Sequence, residues 1–147
     1  MKLTNTIAIN RRPAEVFGFL AQFGNVPLWN YAISETRKIA GGVGVGSRYW
    51  QTRTLPTRSE ETFEVTEFQP DRRLAIRGGL GPFHGEVAYL LVPGGNGTAL
   101  TNTMNLQLSG PLRFVAPLAA SRVKSAVAAN LDTLKQILET IDRPDDR

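Results

Sequence analysis

Apolar residues recur along this chain with two different periods, and the change from one to the other is its main organising signal. Leu3, Ile7 and Ile9 alternate with Thr4, Thr6, Ala8 and Asn10, the period of two that turns one face of a strand inward. Pro13 suits the first turn of a helix, whose apolar face is Val16, Phe17 and Leu20. A second short helical stretch is expected over 25–29, with Pro27 near its start. Strand patterning returns over 33–39, 48–54, 58–68, 73–77, 83–92 and 98–108. Glycine and proline clusters punctuate these stretches at 41–46, Leu55-Pro56, Gln69-Pro70-Asp71, 78–82 and 93–97. After Ser109-Gly110-Pro111 the period changes. Val123, Val127, Leu131, Leu134, Leu138 and Ile141 recur at steps of three and four, so one long helix is expected to reach Ile141.

The predicted order is one strand, two short helices, six strands and a long helix. Consecutive strands joined by short turns form an antiparallel meander, and the apolar face of the last helix must lie across it. The expected fold class is α+β, a curved antiparallel sheet of about seven strands wrapped around the C-terminal helix. Two short helices between the first and second strands would support that helix. Such an arrangement leaves room for a hollow between helix and sheet. A single domain is expected over 1–142, with a flexible tail at 143–147.

Composition removes several chemistries. The chain has no cysteine, which excludes disulfides, thiolate metal sites and cysteine nucleophiles. Its single histidine, His84, leaves little material for zinc ligation or a serine–histidine triad. The glycine cluster at 41–46 is out of register for a dinucleotide fingerprint, precedes no helix, and lacks the Gly-Lys-Ser/Thr ending of a phosphate loop. No cofactor and no metal are therefore expected. The net charge of +4 comes from basic residues in singles and pairs, such as Arg11-Arg12 and Arg37-Lys38, with acids between them. Nucleic acid rewards cations on one track, so no nucleic-acid partner is expected. Transient contact with a membrane surface is compatible with this charge. Met1-Lys2-Leu3-Thr4-Asn5 lacks the apolar run of a secretory signal and no window suggests a transmembrane segment, so the expected compartment is cytoplasmic. Nothing in the pattern signals an oligomeric state.

Several local stretches, taken with this order, carry a family resemblance. Arg12-Pro13-Ala14-Glu15-Val16-Phe17-Gly18-Phe19-Leu20 looks like an opening helix, and Val26-Pro27-Leu28-Trp29 like the tryptophan segment after it. Val45-Gly46-Ser47-Arg48-Tyr49 fits a third strand, and the stretch from Phe63 through Gln69-Pro70-Asp71 to Leu74 fits a central hairpin. Gly97-Thr98-Ala99-Leu100 and Leu108-Ser109-Gly110-Pro111-Leu112 match the last strand and the approach to the helix. Together they resemble the START-like helix-grip superfamily, and within it the polyketide cyclase/dehydratase and coenzyme-Q-binding-like proteins. The resemblance covers nearly the whole chain. It implies a helix-grip fold and a cavity, and it carries no shared catalytic motif.

Period-two alternation assigns candidates to the concave face. Tyr49, Gln51 and Arg53 share one side of the third strand; Ser59, Glu61, Phe63 and Val65 share one side of the fourth. Leu74 and Ile76 are expected inward from the fifth strand, and Phe83, Val87, Tyr89 and Leu91 from the sixth. Asn102, Met104, Leu106 and Leu108 follow from the seventh. Trp29, Phe114, Leu118 and Asn130 are the expected lids and walls, Asn130 because it interrupts the helix's apolar face. Tyr49, Arg53, Glu61 and His84 are the candidate catalytic groups, although the parity of His84 opposes Phe83 and favours the surface. Glu60 and Glu61 are adjacent and point to opposite faces, so they form no catalytic pair. Three functions follow. The first is binding of a hydrophobic small molecule such as a lipid, a quinone or an aromatic polyketide-like compound. The second is a polyketide cyclase/dehydratase, with the cavity folding a flexible chain. The third is a protein-interaction module whose cavity has collapsed.

Overall fold

The computed structural model describes residues 1–141. The expected domain end at 142 and the tail at 143–147 lie outside the described residues. Strand β1 (Lys2–Ile9) is followed by helix α1 (Pro13–Ala21), a 3-10 turn over Phe23–Asn25 and the short helix α2 (Val26–Trp29). Six strands then run in succession: β2 (Ile33–Ala40), β3 (Arg48–Arg53), β4 (Ser59–Gln69), β5 (Arg73–Leu80), β6 (Phe83–Gly94) and β7 (Gly97–Leu108). A 3-10 segment over Gly110–Val115 leads into helix α3 (Ala116–Thr140).

All seven strands form one antiparallel sheet in the order β1-β7-β6-β5-β4-β3-β2. The meander from β2 to β7 is extended by β1, which pairs along its whole length with β7, Ile7 facing Leu100. Two expectations need correction. The glycine pattern puts Gly78 and Gly79 in a turn, but β5 continues to Leu80 and only Gly81 and Pro82 turn the chain. Gly78 lies directly opposite Gly85 of β6, and a Cβ on Gly78 would sit 2.2 Å from the Thr62 carbonyl oxygen of β4. Here glycine permits close approach of backbones in a bent sheet rather than a reversal. The second correction concerns the last helix. Its first residues, Gly110–Val115, wind as a 3-10 segment, which alters the phase of the side chains that follow.

Helix α3 lies against β1 and α2, and its two halves pack differently. In the C-terminal half Leu131, Leu134 and Leu138 are buried in one cluster with Ile9, Val16, Leu20 and Leu100. Burying each leucine contributes about 1.5–3 kcal/mol. Polar contacts lock the same end. The Arg11 guanidinium donates to the carbonyls of Glu139 at 2.7 Å and Ile141 at 3.0 Å, satisfying acceptors that a helix leaves open at its C-terminus. The Glu139 carboxylate accepts from the Asn10 backbone N–H at 2.7 Å and from the Lys135 ammonium at 2.8 Å. Lys135 also donates to the Ala8 carbonyl, so helix and first strand share one cation.

These donors, Lys135 first and the Asn10 amide second, hold the Glu139 carboxyl below its ordinary value of 4.5. A carboxyl lowered by folding contributes stability above its unfolded pKa and loses it as pH falls through the folded one. Urea denaturation should therefore show native protein more stable than the Glu139→Gln variant at neutral pH. The difference should shrink as the solution is acidified below 4.5. A difference that did not change with pH would exclude this role for the carboxylate.

Candidate functional site

The N-terminal half of α3 turns Ala119, Val123, Ala126 and Val127 toward the sheet. These side chains are too short to fill the space that the leucines close further along. What remains is a cavity of about 630 Å³ between helix and sheet. Phe63, Ile76, Val87 and Met104 wall it on the sheet side, and Leu20, Phe23, Val26 and Trp29 close it from the helical segments. Leu55, Pro56, Pro82, Leu112 and Val115 line the cavity without being buried, so they mark its mouth.

One wall carries charge. The Arg53 guanidinium grips the Glu61 carboxylate through Nε at 3.1 and 3.2 Å and through Nη2 at 2.9 Å. Glu61 further accepts from the Gln51 amide at 2.7 Å and from the Gly81 backbone N–H at 2.7 Å. Gly81 holds φ +68°, and a side chain there would come within 3.2 Å of Arg53, so the turn needs glycine to leave the guanidinium its place. Thr36 completes the chain, 3.4 Å from the Gln51 carbonyl oxygen. Both carboxylate oxygens of Glu61 are thus committed, and Glu61 itself does not line the cavity. It orients Arg53, which does.

A second polar group lies among Trp29, Tyr89 and Asn130. Trp29 and Tyr89 meet edge to face with centroids 6.4 Å apart. Burial pushes the Tyr89 phenol well above its ordinary pKa, so its hydroxyl stays neutral and able to donate. The buried Trp29 indole N–H has no hydrogen-bond partner among the described residues, although Trp29 lines the cavity. Asn130 accepts from the Tyr31 backbone N–H at 3.3 Å.

Most of the expected concave-face residues are brought together. Trp29, Gln51, Phe63, Ile76, Phe83, Val87, Tyr89, Met104, Leu106 and Asn130 line the cavity, as does Arg53. Several expectations need correction. Tyr49 stacks on Phe63 at 5.2 Å and meets Phe23 at 4.7 Å, half-buried against the core and outside the cavity lining. Val65 is likewise core. Asn102 is buried opposite Tyr89, its amide without a hydrogen-bond partner among the described residues, yet it does not line the cavity. Phe114 and Leu118 are 73% and 77% exposed and point away from it. Leu112 and Val115 of the 3-10 segment and Ala119 of the helix line it instead. Of the catalytic candidates, His84 is exposed and outside the lining. Sequence reasoning misses Ala119 and Ala126 because small residues give no apolar signal, and the Leu55-Pro56 mouth because it reads only as a strand break. Among the described residues no group of three metal-ligating side chains comes together, and no helix is long and apolar enough to cross a membrane.

Breaking a buried ion pair leaves an uncompensated charge, at a cost of about 3–5 kcal/mol. Glu61→Ala is therefore expected to lower unfolding stability on that scale in urea denaturation. Removing both charges, Arg53→Met with Glu61→Leu, should recover most of the loss. If Glu61→Ala alone left the unfolding midpoint unchanged, the cluster would not be the electrostatic unit described.

Comparison with known proteins agrees with this architecture. The family model described as Polyketide cyclase / dehydrase and lipid transport matches residues 1–139. No curated protein matches by sequence. Among solved structures, a Zhui aromatase/cyclase from Streptomyces superposes with a TM-score of 0.80 at 12% identity, covering 99% of this chain and 97% of that one. TTHA0849 from Thermus thermophilus gives 0.79 at 16% identity, covering 94% and 97%. Ara h 8.0201 gives 0.78 at 12% identity, covering 96% and 99%. At these identities the likeness is one of fold, the helix-grip arrangement of curved sheet and long helix.

Proposed function

We propose a ligand-binding function for this chain, which belongs to the polyketide cyclase/dehydrase and lipid transport family. Its cavity takes up an apolar small molecule that carries one oxygen function, a carbonyl, enol or carboxylate. The observation that carries the reading is a largely apolar cavity of about 630 Å³ whose wall holds the ion-paired, mostly buried Arg53 guanidinium. That volume falls among the roughly 300–1,000 Å³ of small-molecule sites. Glu61 occupies Nε and Nη2 of Arg53, which leaves the donors of Nη1 for a ligand oxygen. Trp29 and Tyr89 supply further donors in a mostly apolar lining, which Gln51 and Asn130 also join. An open volume also weighs against the interaction module with a collapsed cavity.

Binding is favoured over acid–base catalysis by what lines the space. Among the described residues no Asp, Glu or His lines the cavity, so its wall offers none of the usual carboxylate or imidazole bases. Cyclisation of a poly-β-ketone is the second reading, favoured by Arg53. A guanidinium can polarise the carbonyl that an enol carbon of the same chain attacks. The new carbon–carbon bond leaves an alkoxide, which takes up the proton released from the enol. Holding the chain folded would supply most of the acceleration.

The test separates these outcomes. Fatty acids, quinones and aromatic ketones are titrated against native protein by thermal shift and native mass spectrometry. At least one class should bind and raise the melting temperature. Ala126→Trp, which fills the cavity from the helix side, should keep the fold and weaken that binding by about tenfold or more. Equal binding by this variant would place the ligand elsewhere. Turnover of a poly-β-ketone by native protein, lost in the Arg53→Met/Glu61→Leu pair while binding persists, would raise the cyclase above the binder.

A further inference from the structure

We propose that the mouth of the cavity docks on the surface of an anionic lipid bilayer. The first observation is where large apolar side chains stand exposed. Leu112, Phe114, Val115 and Leu118 are 53%, 73%, 44% and 77% exposed, all within the 3-10 segment and first turn that lead into the lidding helix. Leu55, 46% exposed, faces the same mouth from the β3–β4 loop. Bulky apolar tips on two separate segments around one opening suit insertion into a soft interface.

Charge selects the occupant. No Asp or Glu occurs between Glu86 and Asp132, so the whole approach to the helix and its N-terminal half are free of acids. Exposed Arg113, Arg122 and Lys124 stand in that stretch, and exposed Arg58 lies two residues after Pro56 in the opposite loop. The Arg113 guanidinium lies 4.9 Å from the Phe114 ring centroid, pairing a cation with the most prominent aromatic tip of the mouth. Cations flanking apolar tips complement the negative surface of an anionic leaflet. A second copy of this chain would bring the same cations face to face, which disfavours self-association through this patch.

Continuity with the cavity gives the docking a purpose. Leu112 and Val115 line the cavity and also stand at the surface beside Phe114. An apolar molecule could therefore move between leaflet and cavity along apolar side chains without crossing water. The proposal does not depend on which ligand the cavity holds, because docking is read without ligand.

The experiment is flotation with vesicles of phosphatidylcholine alone and of phosphatidylcholine with phosphatidylglycerol. Native protein should float with the anionic vesicles, and raised salt should weaken this. Phe114→Ser with Leu118→Ser removes the exposed tips and should lower the bound fraction about tenfold with an unchanged melting temperature. Arg113→Gln with Lys124→Gln should abolish the preference for anionic lipid. Native protein that ignores anionic vesicles at low salt overturns the proposal. So do serine variants that float as well as native protein. Loss of a dimer in light scattering, with no vesicle binding in native protein, would assign the patch to a second copy instead.

Discussion

The structure turns on a difference in side-chain size along one face of α3. Protein interiors pack to near-crystalline density, so a helix can stand off its sheet only where its inward residues are too short to reach it. Leu131, Leu134 and Leu138 reach, and that end of the helix belongs to the core. Ala119, Val123, Ala126 and Val127 do not, and the space they leave is the cavity. The helix keeps this position because its far end is held independently, by Arg11 on its terminal carbonyls and by Glu139 on the Asn10 amide and Lys135. One end carries the stability that permits the other to remain open.

The polar wall follows the same division of labour. A guanidinium beside an apolar cavity is costly unless its charge is balanced and its geometry held. Glu61 does both, fixed in turn by Gln51 and the Gly81 amide. The consequence for chemistry is that the carboxylate is spent on orientation, while Arg53 remains able to meet a ligand oxygen. A group that looks catalytic in isolation thus acts through its neighbour. The asymmetry of the mouth has a similar origin. The 3-10 segment shifts the phase of the chain, so Phe114 and Leu118 point outward while Leu112, Val115 and Ala119 point in.

Much of this was legible in the chain. Period-two alternation determined the strands and which side of each faces inward, as Gln51, Ile76, Val87 and Met104 illustrate. Periodicity of three and four determined the helix and the leucines that seat it. Proline and glycine determined most of the turns. These properties depend on near neighbours in sequence, and local sterics express them directly. The tertiary structure decided what depends on distances between remote segments. It kept Val65, in the core, and Tyr49, packed against it, out of the cavity wall that Phe63 and Ile76 reach. It committed Glu61 to Arg53 across two strands, and it brought Ala119 and Ala126, which no hydrophobic pattern marks, into the cavity wall beside Val123 and Val127. A cavity is an absence of atoms between elements, and only their placement in space determines where atoms are absent.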